Sequence, residues 1–263
     1  MEKITSRDGT EIAFDQLGTG PPVILVAGAS CDRTVDAPIA EGLAQQFTVL
    51  NYDRRGRGDS GDTPPYAVAR EVEDIAALLD AAGGRAIVIG LSSGAALAAE
   101  AAAAGLPIER LVMWEPPFAI DPAAVERARG YRERLTELLA EGRRADALAH
   151  FMTFVGLPPE AVEGVKQSPY WEVGVGLAGT LGYDAAIMGD STIPIERYRT
   201  IRVPSLVLAG SESPAFLRRA AELTAEAIPG ARYQVLAGQD HNVAGEALAP
   251  AVAAFTNRSE RYA

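Results

Sequence analysis

Ala86-Ile87-Val88-Ile89-Gly90-Leu91-Ser92-Ser93-Gly94 is a short apolar run that ends in G-x-S-x-G, and an alanine-rich run over 95–104 follows it directly. A buried strand, a tight turn and a helix are therefore expected in immediate succession. Glycines at 90 and 94 let strand and helix approach where a Cβ would collide, and the serine between them sits on a turn sharp enough to strain its backbone. In that context a G-x-S-x-G serine is held out as a nucleophile. The spacing selects Ser92 over Ser93, whose backbone N–H, at the start of the helix, is left to face a developing oxyanion. The five residues alone would also suit an ordinary strand-to-helix turn; the flanking strand and helix favour the chemical reading.

Outward from this segment, short and mostly β-branched runs recur at 3–6, 11–16, 23–27, 48–52, 86–89, 110–114, 205–209 and 233–236. Helical patterns at 37–46, 69–82, 94–104, 214–227 and 245–255 fall between most of them, the rhythm of a mainly parallel sheet. Arg7-Asp8-Gly9-Thr10 is a hairpin signal, so the sheet is expected to begin antiparallel.

The chain has 263 residues, 48% of them hydrophobic, enough for one large α/β domain with an insertion. A formal net charge of -11 and a pI near 4.8 argue against a nucleic-acid partner and for a small molecule. Cys31 is the only cysteine, so no intrachain disulfide forms, and it reads as a small buried residue in a reducing compartment. The N-terminal residues lack an apolar signal region and no apolar stretch approaches membrane-spanning length; a cytoplasmic protein without membrane partners is expected, as a monomer or homodimer.

The region 118–199 breaks the α/β rhythm. Helical patterns cover 122–139 and 144–155, no buried strand is evident, and Gly174, Gly176, Gly179, Gly182 and Gly189 suggest a loosely wound second half. The expected organisation is a core of residues 1–117 and 200–263 with a helical lid of residues 118–199 over the strand ends.

Three further segments make the chain resemble the α/β-hydrolase superfamily along its whole length: Tyr52-Asp53-Arg54-Arg55-Gly56-Arg57-Gly58-Asp59-Ser60, Gly238-Gln239-Asp240-His241 and Val26-Ala27-Gly28-Ala29. The resemblance implies an α/β-hydrolase fold: an eight-stranded, mostly parallel sheet flanked by helices, with an all-helical lid after strand six. It also places a second oxyanion N–H on Ala29. Where family members usually carry His-Gly, this chain has Ala27-Gly28, so the loop loses a side-chain anchor.

A serine hydroxyl needs a base within hydrogen-bond reach. Of the two histidines, His150 lies in a lid helix and reads as packed, whereas His241 follows the last strand on a short loop and reads as the general base. The acid that orients it is ambiguous. The resemblance expects G-x-x-D after strand seven, but the chain has Gly210-Ser211-Glu212-Ser213. Glu115, at the end of the sixth run, is favoured, being similar in place to an acid of one haloalkane dehalogenase subfamily; Glu212 is the alternative. Asp240 adjoins His241 too closely to grip its ring.

Serine chemistry of this kind is acyl transfer on an ester, lactone or thioester, with no cofactor and no metal required. The lid aromatics suggest a moderately apolar pocket, with Phe118, Trp171, Tyr183 and Met188 as candidate lining residues. The same fold could instead serve a cofactor-free cyclase, lyase or acyltransferase of secondary metabolism, or a binding protein with a disused triad. A dinucleotide-binding reading of Gly56-x-Gly58-x-x-Gly61 fails because no helix opens after those glycines.

Overall fold

The computed structural model describes residues 1–257; residues 258–263 of the expected core lie outside the described residues. Eight strands form one sheet: β1 (Glu2–Thr5), β2 (Glu11–Leu17), β3 (Pro22–Val26), β4 (Thr48–Tyr52), β5 (Ala86–Leu91), β6 (Ile108–Trp114), β7 (Ser205–Gly210) and β8 (Arg232–Leu236). Their spatial order is β1-β2-β4-β3-β5-β6-β7-β8, with β2 antiparallel to both β1 and β4 and the other five pairings parallel. Strands covered on both faces read as continuous apolar runs, and every residue of β5 and β7 is buried.

Helices α1 (Ala37–Leu43), α2 (Val68–Ala81) and α3 (Ser93–Ala103) lie within the first part of the chain, and α10 (Ala215–Ala227) and α11 (Gly245–Asn257) within the last. Between β6 and β7 come α4 (Pro122–Ala140), α5 (Arg144–Phe154), α6 (Pro159–Lys166), α7 (Tyr170–Leu177), a 3-10 turn (Ala178–Thr180), α8 (Leu181–Met188) and α9 (Ile195–Tyr198). One apolar cluster unites α2, α3 and α10 with one sheet face, a second unites α1 and α11 with the other, and a third (Leu135, Leu138, Ala147, Leu148, Ala178, Leu181) belongs to the inserted helices. Each large aliphatic side chain fully buried in these clusters contributes about 1.5–3 kcal/mol relative to exposure.

The second half of the insertion is more regular than its glycine content suggested. Gly174 and Gly176 lie inside α7 and Gly182 inside α8. A Cβ on Gly174 would come within 2.7 Å of Leu148, and one on Gly182 within 3.3 Å of Leu139. These two glycines are close-approach positions between helices, and the packing gained offsets their poor helix propensity.

Sheet register positions the site. Val26 pairs with Gly90, Leu91 with Trp114 and Trp114 with Leu208, so the segments leaving β3, β5, β6 and β7 emerge side by side at the carboxyl edge. Among the described residues no helix is long and apolar enough to cross a membrane.

Candidate active site

Three non-glycine residues just beyond adjacent strands hold positive φ: Ser30 after β3 (58°), Ser92 after β5 (53°) and Glu115 after β6 (43°). Backbone strain of this kind persists only where the surroundings over-determine it, and it clusters at functional sites. Ser92 is pinned by its N–H, which donates to the Trp114 carbonyl at 2.8 Å. A Cβ on Gly90 would overlap the Gly94 carbonyl, and one on Gly94 the Val26 carbonyl, so the first glycine lets β5 and α3 meet and the second lets α3 approach the end of β3. Ser92 itself is half-buried at the N-terminal end of α3.

Glu115 and His241 are in direct contact. Glu115 Oε2 lies 2.7 Å from His241 Nδ1, and Oε1 accepts the Gly210 N–H at 2.8 Å. The Glu115 side chain is fully buried and that of His241 38% exposed, so the carboxylate is dry while the imidazole is reachable from solvent. Burial pushes the Glu115 carboxyl upward, but the hydrogen bond with His241, the Ser213 side chain and the Gly210 N–H outweigh it and hold it below its ordinary value. Ser213 is close enough to favour the anion, although its buried Oγ makes no hydrogen bond of ordinary geometry. An ionised Glu115 only accepts, so Nδ1 carries a proton, and in the neutral ring this tautomer leaves the Nε2 lone pair free to act as a base. The Trp114 indole donates to the His241 carbonyl at 3.0 Å, fixing the backbone beneath the ring.

Glu212 is exposed and accepts from the Ser211 hydroxyl at 2.8 Å. Its segment supports the histidine loop through main chain: Glu212 N–H donates to Gln239 O, and Gly238 N–H to Ser211 Oγ. Asp240 is exposed and accepts from the Asn242 N–H. His150 stacks on Tyr131 at 5.2 Å, within the insertion.

The β3 loop lies against the serine, since a Cβ on Gly28 would come within 3.2 Å of the Ser92 Cβ. Among the described residues, neither the Ala29 N–H nor the Ser93 N–H donates to a backbone or side-chain acceptor. Cys31 follows; burial pushes its thiol up to about 12, which leaves it protonated and unreactive at neutral pH.

A buried ionic network unforeseen in the sequence underlies this loop. Arg54 binds Glu71 through two bonds of 2.7 and 2.8 Å, and Asp184 at 2.7 Å. Arg57 binds the other Asp184 oxygen at 2.7 Å and donates to the Gly28 and Cys31 carbonyls at 2.5 and 3.0 Å. The Ser93 hydroxyl completes the set, donating to Asp184 at 2.8 Å. Burial would raise the Asp184 carboxyl; Arg57 and Arg54 oppose this and hold it below its ordinary value. Two arginines in one glycine-rich segment were the available signal, but Asp184, 127 residues from Arg57, carried none.

The four expected pocket residues fall in three separate places. Phe118 is buried edge-on to Tyr198 in the α2–α3 core, and with Met188 it borders a cleft of about 250 Å³ whose lining excludes Ser92 and His241. Tyr183 stacks on Tyr66 at 3.8 Å, donates to Asp62 and borders a second cleft of about 300 Å³, again without the serine or histidine. Trp171 packs on the same inserted-helix cluster as Ala29, Tyr131, Phe151 and Met152. The Gly56–Gly61 turn closes on itself through Gly56 N–H to Gly61 O, and the next helix begins only at Val68.

A doubly flanked, mostly parallel sheet with a strained serine between β5 and α3 defines an α/β-hydrolase architecture. Residues 23–254 match the model of the alpha/beta hydrolase family, and the chain belongs to that family. It is similar to an alpha/beta hydrolase from Sphaerobacter thermophilus DSM 20745, with 52% identity, a TM-score of 0.88, and coverage of 97% of this chain and 100% of that one. A thermophilic esterase from Thermogutta terrifontis is 26% identical with a TM-score of 0.66, covering 98% of this chain and 96% of the other. A polyketide synthase from Burkholderia thailandensis is 27% identical over 266 residues; the match takes in 94% of this chain but spans 12% of the length of that relative.

Proposed function

We propose that the chain is a serine hydrolase that cleaves a carboxylic ester, lactone or thioester of a small, moderately apolar substrate through an acyl-enzyme. The observation that carries this reading is the 2.7 Å Glu115–His241 pair at the sheet edge where Ser92 is held at positive φ. Ser92 Oγ attacks the carbonyl carbon as His241 Nε2 takes its proton. The Ala29 and Ser93 N–H groups stabilise the resulting oxyanion. Collapse expels the leaving group, which receives that proton, and His241 then activates a water that releases the acid and restores the serine. Glu115 keeps the imidazole in the required tautomer and stabilises its protonated form. The inserted helices act as a lid, and the apolar side chains that share a cluster with Ala29, Trp171 among them, suit an apolar acyl group. The likeness to an esterase supports ester-type substrates.

Labelling with a fluorophosphonate, combined with turnover of p-nitrophenyl esters, lactones and acyl thioesters, tests the reading. Wild type is expected to label and turn over at least one class, and Ser92→Ala to do neither. Absence of labelling in folded wild type, or unaltered turnover in Ser92→Ala, would overturn it.

A further inference from the structure

The Arg57 guanidinium and the Asp184 carboxylate join the helical insertion to the loop beside Ser92. Both side chains are buried, Arg57 at 1% exposure and Asp184 at 5%. Asp184 lies on α8 of the insertion, whereas Arg57 lies on the segment after β4. Arg57 spends one terminal nitrogen on Asp184 and the other terminal nitrogen on two main-chain carbonyls, those of Gly28 and Cys31, while its buried Nε has no hydrogen-bond partner among the described residues.

The Gly28 carbonyl matters because of what lies across the same bond. The C=O of Gly28 and the N–H of Ala29 belong to one planar trans peptide and point in opposite directions. A guanidinium bound to the oxygen at 2.5 Å therefore sets the direction of the N–H and polarises it toward donation. Asp184 also accepts the hydroxyl of Ser93, whose own N–H is the second free donor. One carboxylate thus touches the supports of both donors. Arg54 adds a third tie, donating to the Ala27 carbonyl at 3.2 Å from a guanidinium that Asp184 and Glu71 hold.

We propose that Arg57 and Asp184 are positioning residues for the oxyanion hole, a clamp by which the helical insertion sets the direction and spacing of the Ala29 and Ser93 N–H donors. The proposal rests on the serine-hydrolase reading. The clamp anchors from beneath a loop that has no side-chain anchor at Ala27. It makes an active site of this geometry depend on α8 being seated, because Asp184 is the only member of the clamp that the insertion supplies. Electrostatic preorganisation explains why such a device affects rate: donors held where charge develops need not reorganise during the reaction.

The test compares wild type with Arg57→Lys, which keeps the charge but cannot reach Asp184 and both carbonyls together, and with Ser93→Ala. The second variant removes only the hydroxyl donated to Asp184 and leaves both arginine pairs, so it folds even if the first does not. Four quantities are read: kcat and KM on the best ester, inhibition by a trifluoromethyl ketone whose serine adduct bears an oxyanion, and inhibition by the product acid, which does not form one. Loss of one oxyanion donor costs about 10²–10³ in kcat, so a misdirected donor is expected to cost about 10–100-fold in Arg57→Lys and about 3–10-fold in Ser93→Ala. KM and product-acid inhibition should stay near wild type, while trifluoromethyl ketone affinity falls in parallel with kcat/KM. A folded variant whose kcat and ketone affinity match wild type, or whose loss lies in KM alone, overturns the clamp. Turnover persisting in Ser92→Ala would instead overturn the serine-hydrolase reading, so the two failures are distinguishable.

Discussion

Glu115 and His241, 126 residues apart in the chain, meet at 2.7 Å through Oε2 and Nδ1, while Glu212 faces solvent beside Ser211. Glu115→Gln keeps the shape but offers His241 no anion, and an amide nitrogen turned toward the ring would favour the wrong tautomer. The expected loss is about 10³–10⁴-fold in kcat, whereas Glu212→Gln stays near wild type, as measured on any ester the enzyme turns over. The stability effect has a defined sign. The folded-state pKa of Glu115 is lowered, so its contribution is present above its ordinary value of 4.5 and is lost as pH falls through the lowered value. Urea unfolding of wild type and Glu115→Gln should therefore differ at pH 7 and converge in strong acid.

Ser213 occupies the position at which the superfamily resemblance expects an aspartate, and its side chain lies beside Glu115. Adding Ser213→Asp to Glu115→Gln is expected to recover about tenfold or more of the lost kcat, because a carboxylate returns within reach of the same imidazole. Ser213→Asp alone places two carboxylates together and raises the pKa of one of them. The acid limb of its pH–rate profile should then move upward.

Asp36 stands at the start of α1 with a buried Oδ2 that has no hydrogen-bond partner. Burial pushes its carboxyl from an ordinary 3.8 up to about 7, with the Arg57 charge opposing and Asp32 adding. Between these values the folded state holds a proton that the unfolded state has released, so stability falls as pH rises through that window and levels off above it. Asp36→Asn removes the titration. Relative to wild type its unfolding free energy should gain about 2–4 kcal/mol between pH 4 and pH 8.

A Cβ on Gly210 would overlap the Gln239 carbonyl, two residues before His241. The contact is backbone on backbone, so no side-chain rotation relieves it. Gly210→Ala is expected to displace the histidine loop and stretch the Gly210 N–H bond to Glu115. A kcat reduction of about tenfold or more is expected, with destabilisation of about 1–3 kcal/mol, read by ester turnover and thermal unfolding.

Local chemistry accounts for how much of this protein was legible in its sequence. The β5–turn–α3 unit is specified by residues 86–104 alone: β-branched residues for a strand covered on both faces, two glycines where backbones touch, and alanines that let α3 lie close to the sheet. The hairpin, the parallel strands and the histidine loop follow from equally local patterns. The glycine-rich half of the insertion misled for the opposite reason. The closeness of helix packing at Gly174 depends on Leu148, which lies on a different helix.

Tertiary structure alone decided which partner each charged side chain received. In one dimension Glu115 is favoured and Glu212 stays open as the alternative; the register of β6 against β7 makes the first dry and bonded to His241, while the second is left in water. Asp184 is an unremarked aspartate among inserted helices until α8 seats against Arg54, Arg57 and Ser93. Apolar periodicity is a property of neighbours along the chain and can be read from it. The pairing of a buried charge is set by desolvation and by whichever opposite charge the fold brings within about 3 Å, and that is a property of the folded whole.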